Sequence, residues 1–357
     1  MITKRNKESH VVMTKQKPNK KVRLKRLIKT TVSIMIIILI LAVVLFPNLS
    51  NVKTTGEYAY TTCTLELVDE SRIEEYKNDG SFRKLSVLVY YPDTNALQTG
   101  TCPLIIFSHG GISYNTSNIS LYKELASHGY VIVSIDHTYH ALFTKIDGKT
   151  IFIDSGYMKE LNTEDSHKDI ENSYICFQKW MNLRTSDINF VIDTFIKSAR
   201  EENDSFYHII NTENIGVIGH SLGGSAALGV ARQRSDVKAV IALESPYMCD
   251  ITGIDGTSFT WNTEPYSCAI MNIYSDNGCP LVEKDNKYVQ NRNYLYNDGN
   301  VEYYYILGSN HYTLTDLVRK SPILCALLGG GYRKPGYDTL EFINQKSIAF
   351  FDKYLSK

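Results

Sequence analysis

The chain has no excess of either charge: 38 Lys and Arg balance 38 Asp and Glu. That balance excludes a strongly basic nucleic-acid binder. No C-x-x-C occurs among the seven cysteines, at 63, 102, 176, 249, 268, 279 and 325, so zinc-ribbon and dithiol redox motifs are excluded. Internal repeats are absent too. With 43% apolar and 21% charged residues, the composition fits neither a disordered, a collagenous nor a polytopic membrane chain. What remains is a globular protein of 357 residues, long enough for one large α/β domain.

The zero net charge hides a partition. Residues 1–29 hold eleven basic residues against one acid, Glu8, a balance of +10 that leaves −10 on the remainder. From Thr30 to Val52 there is no charge, and Val32–Phe46 reads VSIMIIILILAVVLF. At ~1.5 Å per residue such a run crosses most of a ~30 Å hydrocarbon core. It has no polar face for a half-exposed core helix. Cations crowd its N-terminal side, which predicts residues 1–29 in the cytoplasm, a transmembrane signal anchor over 30–49, and everything after it outside the cell membrane. A cleaved signal peptide is the alternative, although Phe46-Pro47-Asn48 offers no small-x-small pair. As a membrane flank the basic arm needs no nucleic-acid role. Export permits disulfides, and Cys249, Cys268 and Cys279 are close in sequence. Nothing in the sequence fixes an oligomeric state.

Residues 50–60 read as a polar linker, and 61–357 as the folded domain. Thr61–Leu67 and Leu85–Tyr91 are expected as antiparallel edge strands. PLIIF (103–107) and YVIVSI (130–135) are apolar runs of buried-strand length. Between them Leu121–His128 reads as a helix, with a left-handed cap at Gly129. A helix is expected over about 177–199, and strands at 215–218, 237–243, 269–274 and 302–307. Leu340–Tyr354 closes the chain as an amphipathic helix. This alternation predicts an α/β fold, a mostly parallel sheet with helices on both faces. Residues 138–175 break it, and are expected as an insertion beside the active site.

One motif carries chemistry. In Ile215-Gly-Val-Ile-Gly-His-Ser-Leu-Gly-Gly224, G-H-S-L-G falls between a strand and a helix. A sharp turn there strains the Ser221 backbone, and Gly219 and Gly223 leave room for it. A serine hydroxyl needs a base oriented by a carboxylate. His311, in Gly308-Ser-Asn-His311 after the strand EYYYIL, stands in the required order behind the serine and both candidate acids. For the acid, Glu244 ends the strand VKAVIAL and Asp276 follows AIMNIYS; Glu244 is favoured. The usual acid on the later strand lies a few residues beyond its end, where this chain has Gly278 and Cys279. Negative charge on a tetrahedral intermediate needs preorganised donors. The Leu222 amide is one candidate, and Gly111, in the turn Ser108-His-Gly-Gly-Ile112, is the other. His137 and His140, spaced H-x-x-H, are expected at the site entrance rather than on a metal. This chemistry requires no metal or organic cofactor.

Together these residues resemble the platelet-activating-factor acetylhydrolase family, α/β-hydrolases of the lipoprotein-associated phospholipase A2 type. PLIIFSHGG is similar to that family's oxyanion strand and turn, LASHGYVIVSIDH to its next helix and strand, RTSDINFVID to the helix before the elbow, and GHSLGG to its nucleophile motif. The resemblance runs from about Pro103 to His311. It implies Ser221 as nucleophile, an acid falling on Glu244 where the family usually has Asp, and His311 as base. It also implies short or oxidised acyl chains on phospholipids as substrates. The expectation is thus a membrane-anchored serine ester hydrolase acting on ester or phospholipid substrates. A peptidase or acyltransferase with the same triad, or a non-catalytic receptor with a hydrolase fold, are the alternatives.

Overall fold

The computed structural model describes residues 20–47, 52–93, 97–201, 206–297, 301–331 and 336–355. It divides into two units, residues 1–48 and 49–357. In the first, helix α1 (Lys20–Leu45) contains the apolar run. Arg23–Leu45 is long and apolar enough to cross a membrane, and none of its most apolar stretch is buried in the structure. The basic residues before Lys20 and the start of the linker lie outside the described residues.

The second unit is built on an eight-stranded sheet. In chain order its elements are β1 (Tyr60–Ile73), β2 (Phe82–Pro92), β3 (Cys102–Ser108), α2 (Ile119–Ser127), β4 (Val131–Asp136), β5 (Phe143–Ile146), β6 (Lys149–Phe152), α3 (Ser155–Thr163) and α4 (Ile170–Glu201). There follow β7 (Ile210–His220), α5 (Leu222–Gln233), β8 (Val237–Leu243), β9 (Ile251–Asp255), β10 (Ser258–Trp261), β11 (Ala269–Ser275), α6 (Cys279–Lys284), α7 (Val289–Asn297) and β12 (Val301–Ile306). The last three helices are α8 (Leu317–Lys320), α9 (Pro322–Leu328) and α10 (Gly336–Tyr354). The sheet order is β1-β2-β4-β3-β7-β8-β11-β12. Within this sheet β4, β3, β7, β8, β11 and β12 run parallel, and β1 and β2 pair antiparallel at one side.

Alternation along the strands explains the two cores. Leu104 and Ile106 pack with α4 and α5, through Phe177, Ile188, Val191, Ile192 and Leu228. Their neighbours Ile105 and Phe107 pack on the opposite face, with α2 and α10, through Leu121, Leu125, Ile343 and Phe351. A strand covered on both sides therefore reads as an unbroken apolar run. Carboxyl ends of the parallel strands share one edge, which places Ser108, His220, Leu243, Ser275 and Ile306 along it.

Several expectations change in detail. β2 lies between β1 and β4 and is not an edge strand. Residues 138–175 form no long loop but the β5–β6 hairpin, α3 and the first turns of α4. The hairpin closes on Asp147 and Gly148, both at positive φ, the primed-turn dipeptide that suits strand twist. Cys249, Cys268 and Cys279 form no disulfide.

Gly129 caps α2 at φ +90, as its place after the helix implies. A Cβ there would also meet the Tyr58 ring at 3.3 Å. Gly129→Ala is expected to lower the unfolding free energy by about 1–2 kcal/mol, the left-handed penalty of an L-residue. Urea unfolding checks this, and an unchanged midpoint at unchanged slope contradicts it.

Candidate active site

The serine turn is defined by close approach. Ser221 sits between β7 and α5 at φ +54, ψ −124, a conformation that strains any residue with a side chain. A Cβ on Gly219 would lie 2.2 Å from the Gly223 backbone, and one on Gly223 would lie 2.1 Å from the Ser108 carbonyl oxygen. Only glycine fits at either place. The turn is pinned to the next strand, because the Ser221 N–H donates to the Leu243 oxygen at 2.8 Å. Leu222 opens α5, so its N–H has no intrahelical acceptor.

Glu244 follows β8 and also has positive φ, +48. Its N–H donates to Ile273 of β11 at 2.8 Å. Its Oε2 accepts the Ser275 N–H at 2.7 Å, and its Oε1 accepts from His311 Nδ1 at 2.8 Å. Burial pushes this carboxyl up, but the hydrogen bond and charge of His311 and the Ser275 donor outweigh it and hold the group below its ordinary range. A Cβ on Gly278 would stand 2.4 Å from the Glu244 carboxyl carbon. The longer Glu side chain from β8 thus fills the space where an acid after β11 would reach, and Gly278 is what makes room.

Asp276 goes elsewhere. Its Oδ2 accepts the Gly308 N–H at 3.0 Å, which ties the end of β11 to the loop carrying His311. That loop is further fixed by Asn310, whose side chain accepts from the Tyr312 and Thr313 amides, while Thr313 Oγ1 accepts the Asn310 N–H. Burial and the charge of His311 keep His220 neutral. Its Nε2–H donates to the His311 carbonyl at 3.1 Å.

Ser221, His311 and Gly111 line one cleft, formed by two adjoining cavities of about 460 and 400 Å³. The first is walled by Ile112, Leu142, Leu161, Leu317 and Leu328, with Tyr114 and Lys320. The second adds Trp180, Pro246, Met248 and Tyr288, with Glu164 and Lys287. Glu244 and Leu222 border the second cavity, whereas Asp276 borders neither. Leu142, Leu161 and Glu164 come from the 138–175 segment.

His137 and His140 do not stand at the entrance; both are fully buried. His137 Nδ1–H donates to Asp187 at 2.9 Å and Nε2 accepts from Ser108 Oγ at 2.8 Å. This second Ser-His-Asp chain has the connectivity of a catalytic triad, but Ser108, His137 and Asp187 are all at 0% exposure, so no substrate reaches it. Asp187 also binds Arg83 through two hydrogen bonds, at 3.0 and 2.7 Å, and Arg72 at 2.8 Å. Burial would raise its carboxyl, and Arg83 and His137 hold it well below the carboxylate range. Arg83 in turn reaches Glu74 at 2.8 Å. This buried ionic group behind the His109-Gly110-Gly111 turn was not anticipated from sequence. Its trace there is a pair of charges, Arg184 and Asp187, on the apolar face of a helix.

A parallel sheet covered on both faces, a strained serine between strand and helix, and a histidine–carboxylate pair at the same sheet edge define an α/β-hydrolase. The family described as platelet-activating factor acetylhydrolase, isoform II matches residues 86–357, and the chain belongs to that family. The platelet-activating factor acetylhydrolase of Canis lupus familiaris is 28% identical over 163 residues, 42% of this chain and 36% of that protein. Cutinase est1 of Thermobifida alba is 26% identical over 155 residues, 43% of this chain and 38% of that protein. The matched region therefore spans little more than a third of either relative. Ferulic acid esterase from Streptomyces cinnamoneus superposes with a TM-score of 0.61 at 21% identity, over 85% of this chain and 92% of that one. At that identity the likeness concerns the fold.

Proposed function

We propose that the protein is a serine carboxylic ester hydrolase that cleaves short-acyl or lipid esters through Ser221, His311 and Glu244. The observation that carries this reading is the meeting of the strained serine, the His311–Glu244 hydrogen bond and the Gly111 turn in one largely apolar cleft. Glu244 accepts Nδ1–H, so the lone pair of His311 is on Nε2 and free to take the Ser221 proton as the hydroxyl attacks the ester carbonyl. The Leu222 and Gly111 amides hold the oxygen on which charge develops. His311 then protonates the departing alcohol, and water releases the acyl group by the same base.

Apolar walls on both sides of Ser221 suit an ester with hydrocarbon on its acyl or alcohol side, and the relatives' names, acetylhydrolase and cutinase, agree with that class. In this reading α1 anchors the chain in the cell membrane with its N-terminus inside and the hydrolase domain outside. Eleven cations before residue 30 and the uncharged, apolar stretch of α1 that follows them support that orientation.

A membrane-impermeant fluorophosphonate probe applied to intact cells tests both parts. Labelling of the full chain is expected in the membrane fraction, with labelling and p-nitrophenyl acetate turnover abolished by Ser221→Ala. Equal labelling of Ser221→Ala, or cleavage of peptides with esters left intact, overturns the ester reading. Labelling only after lysis overturns the orientation.

A further inference from the structure

Behind the Gly110-Gly111 turn lies a cation with no carboxylate of its own. Arg184, on α4, is at 0% exposure, and among the described residues it forms no ion pair. It donates from Nη1 to the His109 carbonyl at 2.5 Å, and from Nη2 to the Gly110 carbonyl at 3.2 Å and to the Tyr157 hydroxyl at 3.4 Å. Its Nε has no partner. Asp187, three residues on, is already taken by Arg83, Arg72 and His137. Burying a guanidinium against neutral carbonyls alone is costly, and an apolar side chain would pack there at less expense. Packing therefore does not explain the arginine.

Peptide geometry does. No peptide bond in the described chain is cis, and in a trans peptide the C=O and N–H point in opposite directions. Holding the carbonyls of His109 and Gly110 from behind thus turns the Gly110 and Gly111 N–H groups away from the guanidinium. Gly110, Gly111 and Ser221 line the same cleft. One neighbour reinforces the hold and another extends it: His109 Nδ1–H also donates to the Gly110 oxygen at 2.7 Å, and the Tyr157 hydroxyl, itself an acceptor from Arg184, donates to the Gly111 oxygen of the next peptide at 3.3 Å. A carbonyl bound to a cation also makes its own N–H a stronger donor. Burial first, and the Arg184 charge next, keep His109 and His140 neutral, so neither imidazole sets a second positive charge against these carbonyls.

We propose that Arg184 is the positioning residue of the oxyanion site, fixing and polarising the peptides that present the Gly111 amide to the reacting oxygen. This rests on the ester-hydrolase reading above. Because the oxygen gains charge only as the tetrahedral intermediate forms, loss of Arg184 acts on kcat rather than on KM.

The experiment compares wild type, Arg184→Lys, Arg184→Met, Arg184→Gly and Tyr157→Phe as full chains in detergent, with p-nitrophenyl acetate as substrate and thermal unfolding beside it. Arg184→Lys and Arg184→Met are expected to lose about 10²-fold or more in kcat, with KM changed by less than about 3-fold. Tyr157→Phe is expected to lose about 3- to 10-fold in kcat. Added guanidinium is expected to restore part of the lost kcat in Arg184→Gly while leaving wild type unchanged. Folded Arg184 variants with wild-type kcat, or a loss confined to KM, overturn the proposal. If the Arg184 variants do not fold, Tyr157→Phe decides, and an unchanged kcat there overturns it. A wild type that neither turns over ester nor labels at Ser221 removes the ester reading itself; an active wild type with equally active variants removes only the role of Arg184.

Discussion

Glu244→Gln is expected to lower kcat by about 10³- to 10⁴-fold, while Asp276→Asn changes it by less than about tenfold. The two carboxylates differ in what they touch. Glu244 Oε2 is the acceptor for the Ser275 N–H at 2.7 Å. A glutamine must place its oxygen there, because an NH2 group would face a donor. Its NH2 then faces His311 Nδ1, where Oε1 now accepts at 2.8 Å. His311 can meet an NH2 only with an unprotonated Nδ1, so its proton moves to Nε2. That tautomer has no lone pair for the Ser221 hydroxyl. The loss therefore comes from one proton in the wrong place, with the fold and the cleft unchanged, and KM should hold while kcat falls. Asp276 accepts the Gly308 N–H through one oxygen, and an asparagine oxygen can do the same. Steady-state kinetics on p-nitrophenyl acetate separates the two variants. Loss of turnover in Asp276→Asn alone would put the acid on β11.

The proposed serine and histidine stand out in the sequence because each is marked locally. G-H-S-L-G follows an apolar run, and the glycines are demanded by contacts that any such elbow makes. GSNH follows the last strand. The proposed acid is only half marked there. Glu244 and Asp276 both end parallel strands, and what separates them is a glycine in another segment, Gly278, whose missing side chain admits the Glu244 carboxyl. No local pattern around Glu244 reports that.

The charges behind the oxyanion turn were hidden for a different reason. In RTSDINFVIDTF the apolar spacing of Ile188, Val191, Ile192 and Phe195 marks the core face. Arg184 lies one turn before Ile188 on that face, and charged residues are ordinarily assigned to solvent. A 3.6-residue wheel extended to include them places Arg184 in the core, where the structure has it. His137 and His140 are disguised in the same way, since polar residues after a strand are usually at the surface. Here Tyr139 between them takes φ +67 and both imidazoles turn inward, His140 against Tyr157 with ring centroids 3.6 Å apart. The zero net charge conceals a division of its own: at residue 29 it separates a basic arm from an acidic remainder.

Those inward histidines lead to the second large effect, a loss of stability between pH 7 and pH 5. Burial, joined at His109, His137 and His140 by the Arg184 charge and at His220 by His311, lowers all four pKa values, that of His137 to about 4. The unfolded chain titrates each near 6.5. Below that pH the unfolded state takes up protons that the folded state refuses, so stability is complete above about 6.5 and falls as pH drops. Each histidine contributes about 1.4 kcal/mol per pH unit. Asp136 acts against them. Burial raises it to about 7, so between that value and its unfolded ~3.9 the folded state binds the extra proton and gains stability as pH falls. Asp316, raised in the same way, adds to that gain where its folded value exceeds the ambient pH. Asp187 is held low and loses its contribution only below ~3.9, outside this window. Four losses against one full and one partial gain leave a fall of about 3–4 kcal/mol per pH unit below 6.5. That is a large part of an ordinary folding free energy. Urea titrations of the full chain at pH 7, 6 and 5 are expected to show midpoints falling steeply, and His137→Gln, which cannot take the proton, should have a lower midpoint at pH 7 but a shallower slope. Midpoints that stay flat from pH 7 to pH 5 would mean that these imidazoles are protonated in the folded protein, and a His137→Gln slope equal to wild type would mean that His137 is.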